Sequence, residues 1–112
     1  MANIIYSEKA LVDLKEIGDY IEKEFMSPKA ALNTVTKIQD SIDNLSLFPL
    51  MGTSLSTKID IETDYRFLVC GKYLAFYRVN DEIINIDRII YSKRDYIRLL
   101  FGDIEEKVED EM

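Results

Sequence analysis

The residues best suited to chemistry in this chain are cations set on strand-like runs. Arg66, Arg78 and Arg88 each fall within a run rich in β-branched and aromatic residues. The last run closes on the cluster Tyr91-Ser92-Lys93-Arg94-Asp95-Tyr96. Guanidinium and ammonium groups on a sheet can hold phosphates or carboxylates, and tyrosines beside them can stack or hydrogen-bond. The chain as a whole is acidic, with a net charge of -7 and no histidine. Cations concentrated on one sheet of an acidic protein mark that sheet as a working surface.

The charge is unevenly spread. Residues 102–112 hold six acidic side chains and one lysine, so this stretch alone contributes -5. Residues 1–101 carry 13 basic and 15 acidic side chains, a balance of -2. Between Asp64 and Arg98 seven basic side chains face five acidic ones. That surplus is small beside the basic footprint of proteins that grip nucleic acid by its phosphates. It argues against tight nonspecific nucleic-acid binding and leaves room for a local patch or a protein partner.

Several elements must position these residues. Asn3 to Tyr6 reads as a short strand, and Ser7 as the cap of a helix. Leu11, Leu14, Ile17, Ile21 and Phe25 then recur at three- and four-residue steps, one apolar helical stripe. Lys9, Asp13, Lys15, Glu16, Asp19, Glu22 and Lys23 fall on the polar side. Ser27-Pro28 ends this helix and starts another, since proline fits the first helical position. Ala31, Val35, Ile38, Ile42 and Leu45 form its stripe, and the two helices are predicted to pack as an antiparallel hairpin.

Phe48-Pro49 and Met51-Gly52 stop the second helix and turn the chain. Thr53 to Ile61 is a weak strand. Tyr65 to Cys70, Tyr73 to Val79 and Glu82 to Tyr91 are firmer ones, parted by Gly71-Lys72 and Asn80-Asp81, residues that tolerate the positive φ of two-residue hairpin turns. On the middle strand Leu74, Phe76 and Arg78 point one way, and Tyr73, Ala75, Tyr77 and Val79 the other. Asp95 to Phe101 reads as a short helix. The fold class is therefore α+β: an N-terminal strand, then a helical hairpin packed on one face of a three- to four-stranded antiparallel sheet, then a short C-terminal helix. Residues 1–101 form one domain, and 102–112 an acidic tail that either solubilises or lies over the basic sheet. The sheet face away from the helices is expected to be the concave, open one.

No apolar run nears the ~20 residues needed to span a bilayer, and the N-terminus lacks the regions of a signal peptide. Cys70 has no second cysteine to pair with and reads as a buried small apolar residue. A reduced, cytoplasmic protein is expected. Asp13, Glu16 and Asp19 share a helical side, but with no histidine or thiolate beside them no metal site is expected, and no cofactor. Arg78 and Arg88, close to Asp87 and Glu82, read as cross-strand ion-pair partners or as binding cations, with Tyr91 beside them as a binding residue.

The series Ala10-x-x-Asp13-Leu14-x-x-Ile17-x-x-Tyr20-Ile21, Pro28-x-Ala30-Ala31, Leu45-x-x-Phe48-Pro49-x-x-Gly52, Tyr65-Arg66, Tyr73-x-x-Phe76-Tyr77-Arg78-Val79 and Arg88-Ile89-Ile90 before Arg94-Asp95-Tyr96 resembles the RelE/ParE superfamily of bacterial toxins. The resemblance runs from about Ile4 to Phe101. It implies the toxin half of a type II toxin–antitoxin pair, with a cognate antitoxin as partner that covers part of the helical hairpin and lays a segment along the sheet. ParE-like members poison DNA gyrase, and RelE-like members cut mRNA in the ribosome. The helical hairpin ending in Leu-x-x-Phe-Pro-x-x-Gly is closer to the ParE branch.

Metal-free RNA cutting would need a base for the 2′-OH, a cation for the phosphate and an acid for the leaving oxygen. The resemblance offers Arg66, Lys93, Arg94 and Tyr96 as a partial catalytic set. Leu74 stands where RelE has an arginine, and Tyr91 where related nucleases place a histidine. A phenol titrating near 10 is a poor base at neutral pH. Gyrase poisoning is thus the favoured expectation, mRNA cleavage the alternative, and a non-toxic antitoxin-binding module the third. The oligomeric state is open.

Overall fold

A computed structural model describes residues 1–102. The expected two-layer α+β arrangement is present, on a sheet wider than the sequence implied. Strand β1 (Asn3–Tyr6) leads into helices α1 (Glu8–Phe25) and α2 (Pro28–Asp43). Strands β2 (Thr53–Ser54), β3 (Arg66–Cys70), β4 (Tyr73–Asn80) and β5 (Ile83–Tyr91) follow, then helix α3 (Tyr96–Phe101). The five strands lie in the order β1-β5-β4-β3-β2. Strands β2 to β5 pair antiparallel, and β1 joins β5 in parallel, Asn3 opposite Ile83 and Tyr6 opposite Ile86. Asn3–Tyr6 is a strand as expected, but pattern within one strand gives no information about a partner 80 residues away, so its place in the sheet was not legible.

The helix caps are as their sequences require. The Ser7 and Ser27 hydroxyls accept from Ala10 N–H and Ala30 N–H, which satisfies one orphan donor at each helix start. Pro28 occupies the first turn of α2, and Met26 turns the chain between helices in the left-handed region. The Asp95 carboxylate caps α3 by accepting from Arg98 N–H. The two-residue turn after β4 falls at Asp81-Glu82, one residue later than expected, with Asp81 at φ 55°.

One core lies between the hairpin and the sheet. Leu14, Ile38, Ile42 and Leu45 meet Leu68, Ala75, Tyr77, Ile84, Ile86 and Ile89 there. The stripe of α2 is as expected, but that of α1 is rotated: Leu11 and Phe25 are exposed, whereas Ala10 and Asp13 are buried. Ile86 and Ile89, three residues apart, share this core because β5 carries a bulge. Phe76 pairs with Arg88 and Tyr77 with Ile86, which leaves Asp87 as the extra residue. A bulge resets the two-residue alternation.

The opposite sheet face is not open. Leu74, Phe76 and Ile90 are buried there together with Leu55, under Tyr65, Tyr96, Leu99, Leu100 and Phe101. The apolar side of α3 and the loop after β2 cover it, because Leu74, Phe76 and Ile90 could not remain in water. The strand expected over Thr53–Ile61 shrinks to two residues and passes into a 3-10 turn at Leu55–Thr57. The acidic tail lies outside the described residues.

Candidate functional site

Pairing of β1 with β5 stops at Ile86. Beyond it the outer edge of β5 is closed by α1 instead. The Ser7 hydroxyl donates to the Asp87 carbonyl at 2.8 Å. Asp13, buried on α1, accepts from Ile89 N–H at 2.8 Å and takes the Arg88 guanidinium in a bidentate pair at 2.8 and 3.0 Å. One carboxylate thereby replaces a missing strand partner and neutralises a half-buried cation. The Asp13 bonds hold Arg88 above the ordinary arginine range.

This clasp forms one end of a groove of about 550 Å³ between α1 and the end of the sheet. Glu16, Tyr20 and Glu24, four residues apart, make the helical wall because such residues stack on one helix face. Tyr73, Ile89 and Tyr91 line it from the sheet, and Lys72 and Arg94 from the turns at the strand ends. Tyr73 and Tyr91 meet edge to face, their ring centroids 5.9 Å apart. Burial, with Tyr20 and Tyr91 close by, raises the Tyr73 pKa further above its usual range. Tyr73 is therefore neutral at physiological pH and serves as a stacking and hydrogen-bonding group. Past Phe25 and Tyr73 a second cavity of about 720 Å³ continues beneath α2.

Of the residues singled out in the sequence, Arg88, Tyr91 and Arg94 line this groove. Lys93 is exposed in the turn beside it. Arg94 and Lys93 have no carboxylate partner among the described residues. Arg78 lies apart. It pairs across the bulge with Asp87 at 2.7 Å and sits 4.7 Å above the Tyr65 ring. Burial, with the Asp87 carboxylate accepting from its hydroxyl, pushes Tyr65 up to about 12. Tyr96 is on the face covered by α3, its ring 5.3 Å from that of Phe76.

Arg66 is engaged elsewhere again. Its Nη2 donates to the carbonyls of Gly52 at 2.8 Å and Leu50 at 3.2 Å, and its Nε to Gly52 at 3.2 Å. Tyr77, fully buried, completes the clamp. Its hydroxyl donates to Pro49 O at 2.8 Å and accepts from Gly52 N–H at 3.0 Å. A Cβ on Gly52 would come within 2.6 Å of the Tyr77 hydroxyl and 2.7 Å of Phe67 O, so only glycine fits. The Phe-Pro-x-x-Gly, Tyr-Arg and Phe-Tyr-Arg segments are thus one device that anchors a loop to the sheet.

The structure does not gather Arg66, Lys93, Arg94 and Tyr96. Arg66 pairs with Tyr77 on β4, whereas the turn bearing Lys93 and Arg94 follows Tyr91, which pairs with Tyr73. Four residues along a strand are roughly 13 Å. Sequence reasoning missed Tyr20, Glu16, Glu24 and Asp13. The four-residue spacing of the first three was available as a signal; the inward aim of Asp13 was not. Among the described residues no group of three His, Cys, Asp or Glu side chains could hold a metal, and no helix is long and apolar enough to cross a membrane.

Comparison with known proteins bears on this arrangement. The family described as "ParE toxin of type II toxin-antitoxin system, parDE" matches residues 4–96. The protein named Toxin RelE2 of Caulobacter vibrioides is 30% identical over 94 residues, covering 84% of this chain and 99% of that one. A solved structure of the chromosomal ParDE toxin–antitoxin system from P. aeruginosa superposes with a TM-score of 0.69 at 25% identity. It covers 83% of this chain and 98% of that one. The chain belongs to the ParE toxin family of type II toxin–antitoxin systems.

Proposed function

We propose that this toxin arrests growth by binding its target, DNA gyrase, and not by cutting RNA. The observation that carries this reading is the engagement of the three arginines on the strands. Arg66 is bonded to loop carbonyls, Arg78 to Asp87 and Arg88 to Asp13. A cation with these partners is poorly placed to follow charge developing on a phosphate. A general base must sit within hydrogen-bond reach of the proton it removes. Here histidine is absent from the chain, Tyr73 and Tyr65 are held neutral, and Tyr96 stacks on Phe76.

A cognate antitoxin neutralises the toxin in the cytoplasm, and the tyrosine-lined groove beside α1 is the surface we assign to it. Glu16 and Glu24 on its helical wall can accept the basic side chains of a protein segment. Such a segment folds as it binds.

The test is to induce the chain in a bacterium and follow DNA supercoiling, gyrase-dependent strand breaks and protein synthesis together. Breaks that precede any fall in translation are expected, with Arg94→Ala equally toxic. Cuts in ribosome-bound mRNA that vanish in Arg94→Ala would establish the nuclease instead. Unimpeded growth would leave an antitoxin-binding module without toxicity.

A further inference from the structure

The cations on the strands are engaged, but those in the turns at one end of the sheet are not. Arg78 and Arg88 pair with aspartates, and Arg66 is held by carbonyls. Lys72, Lys93 and Arg94 are exposed and have no carboxylate partner among the described residues. Lys72 lies in the turn between β3 and β4, and Lys93 and Arg94 in the turn after β5. Ser92 N–H donates to the Lys72 carbonyl at 2.9 Å, which ties one turn to the other. Arg94 N–H donates to the Tyr91 carbonyl at 3.0 Å, and Tyr96 N–H to the Arg94 carbonyl at 2.8 Å.

The acids nearby do not neutralise this corner. Asp95 caps α3 and pairs with Arg98 at 3.9 Å. Glu16 and Glu24 line the same groove as Lys72 and Arg94 but form no ion pair with them. Three like charges on two joined turns attract a counter-charge. The sequence supplies one close by. Helix α3 has six residues, a length of about 9 Å, so Gly102 follows the turn bearing Arg94 by little more than that. Residues 103–112 then carry six acidic side chains and one lysine. Ten residues can reach roughly 33 Å when extended, several times the distance back to the corner.

We propose that the acidic segment 103–112 folds back onto the corner formed by Lys72, Lys93 and Arg94 and screens it from phosphate-bearing ligands. The tether favours this segment over a separate acidic partner. A short link holds its charges at millimolar effective concentration, so exposed pairs too weak to retain a free partner suffice here. The engagement of Arg66, Arg78 and Arg88 favours the corner over the sheet that the sequence suggested as the seat. Lys9 at the start of α1 is also without a carboxylate partner among the described residues, but it offers one charge against three. Neither the fold-back nor the screening requires gyrase as the target.

A carbodiimide, which joins a lysine amine to a carboxylate in contact with it, tests the fold-back on the purified full chain. In the monomeric product, links from Lys72 and Lys93 to Glu105, Glu106, Glu109 or Asp110 should exceed those from Lys9 and Lys58 at least fivefold by peptide mass spectrometry. They should fall at least threefold in about 1 M salt, where exposed charges are screened. Links spread evenly over the lysines, confined to Lys9, or found only between two chains would overturn the proposal. The screening is read with a single-stranded RNA oligonucleotide at low salt. The variant Glu105→Gln/Glu106→Gln/Glu109→Gln/Asp110→Asn should bind it at least tenfold more tightly than the parent. Adding Lys93→Ala/Arg94→Ala should abolish that gain, whereas the charge-matched addition Lys9→Ala/Lys58→Ala should leave most of it. All four added positions are exposed, so thermal denaturation should stay within a few degrees of the parent. An equal loss in the two sets, or no gain at all, would show that the acidic residues act by overall charge or not at all, and would overturn the screening. Both readouts are independent of toxicity, so a chain that fails to arrest growth through gyrase leaves them unchanged.

Discussion

Replacing Asp13 by alanine should be the most damaging change to a charged residue of this protein. Asp13 and Arg88 side chains are 10% and 18% exposed, and the pair carries two charge-assisted bonds of 2.8 and 3.0 Å. The same carboxylate also satisfies Ile89 N–H. Truncation leaves an unpartnered guanidinium and a buried amide. Removing one member of a fully buried pair costs about 3–5 kcal/mol, and an unsatisfied buried donor about 1–3. Residual solvent contact of Arg88 lowers the first figure, so about 3 kcal/mol is expected in all. For a domain of this size that is a fall of roughly 12–24 °C in the melting midpoint. Arg88→Ala should cost less, because Asp13 keeps its bond to Ile89. The double variant should cost little more than Asp13→Ala, a coupling of about 2 kcal/mol in a double-mutant cycle. Urea unfolding followed by circular dichroism would measure each term. A loss below about 1 kcal/mol for Asp13→Ala, or strictly additive singles, would refute the view that this carboxylate closes the sheet edge.

Other outcomes follow from the same geometry. Gly52→Ala should cost about 3 kcal/mol or more, since its Cβ would lie 2.6 Å from the Tyr77 hydroxyl and 2.7 Å from a backbone oxygen; thermal unfolding of the purified variant reads this directly. Stability should fall between about pH 10 and 12. Burial, with the Asp43 charge adding to it, pushes Tyr6 up to about 12, and burial with the Asp87 bond does the same for Tyr65. A raised native value favours the neutral form, so the unfolded chain ionises first and the contribution, complete below pH 10, is lost as pH rises through 12. Titration of urea midpoints should show that slope flattened in Tyr6→Phe/Tyr65→Phe. Burial raises the Cys70 thiol to about 11, so an aromatic disulfide reagent at pH 8 should label it only after denaturant is added. Arg78→Ala, at a pair whose arginine is 46% exposed, should shift stability by less than about 1 kcal/mol.

The local rules of the chain were readable because they act over a few residues. Ser7, Ser27-Pro28, the α2 stripe and the alternation of Tyr73 to Val79 all stand where their chemistry places them. What stayed hidden was non-local. The bulge at Asp87 is visible in hindsight as Ile86 and Ile89 on one side, yet alternation alone reads that step as a change of face. Asp13 looked like a surface residue because a carboxylate on a helix is usually solvated; its partner lies 75 positions later. Arg66 looked available because sequence shows neither the Leu50 nor the Gly52 carbonyl turned toward it. The covering of the second sheet face by α3 was missed for a related reason. Six residues of helix with no fully buried side chain of their own gave no sign of which surface they would shield.

The pairing of Asn3–Tyr6 with Ile83–Ile86, locked by the Ser7 hydroxyl on Asp87, bears on when the fold can close during synthesis. The first strand has no place to dock until its counterpart has been translated and has cleared the ribosomal exit tunnel. Contacts so distant along the chain form late, and domains close as units during synthesis. A chain that stops before Ile83 lacks the counterpart of Asn3–Tyr6 and cannot complete the five-stranded sheet. The sheet closes only near the end of translation.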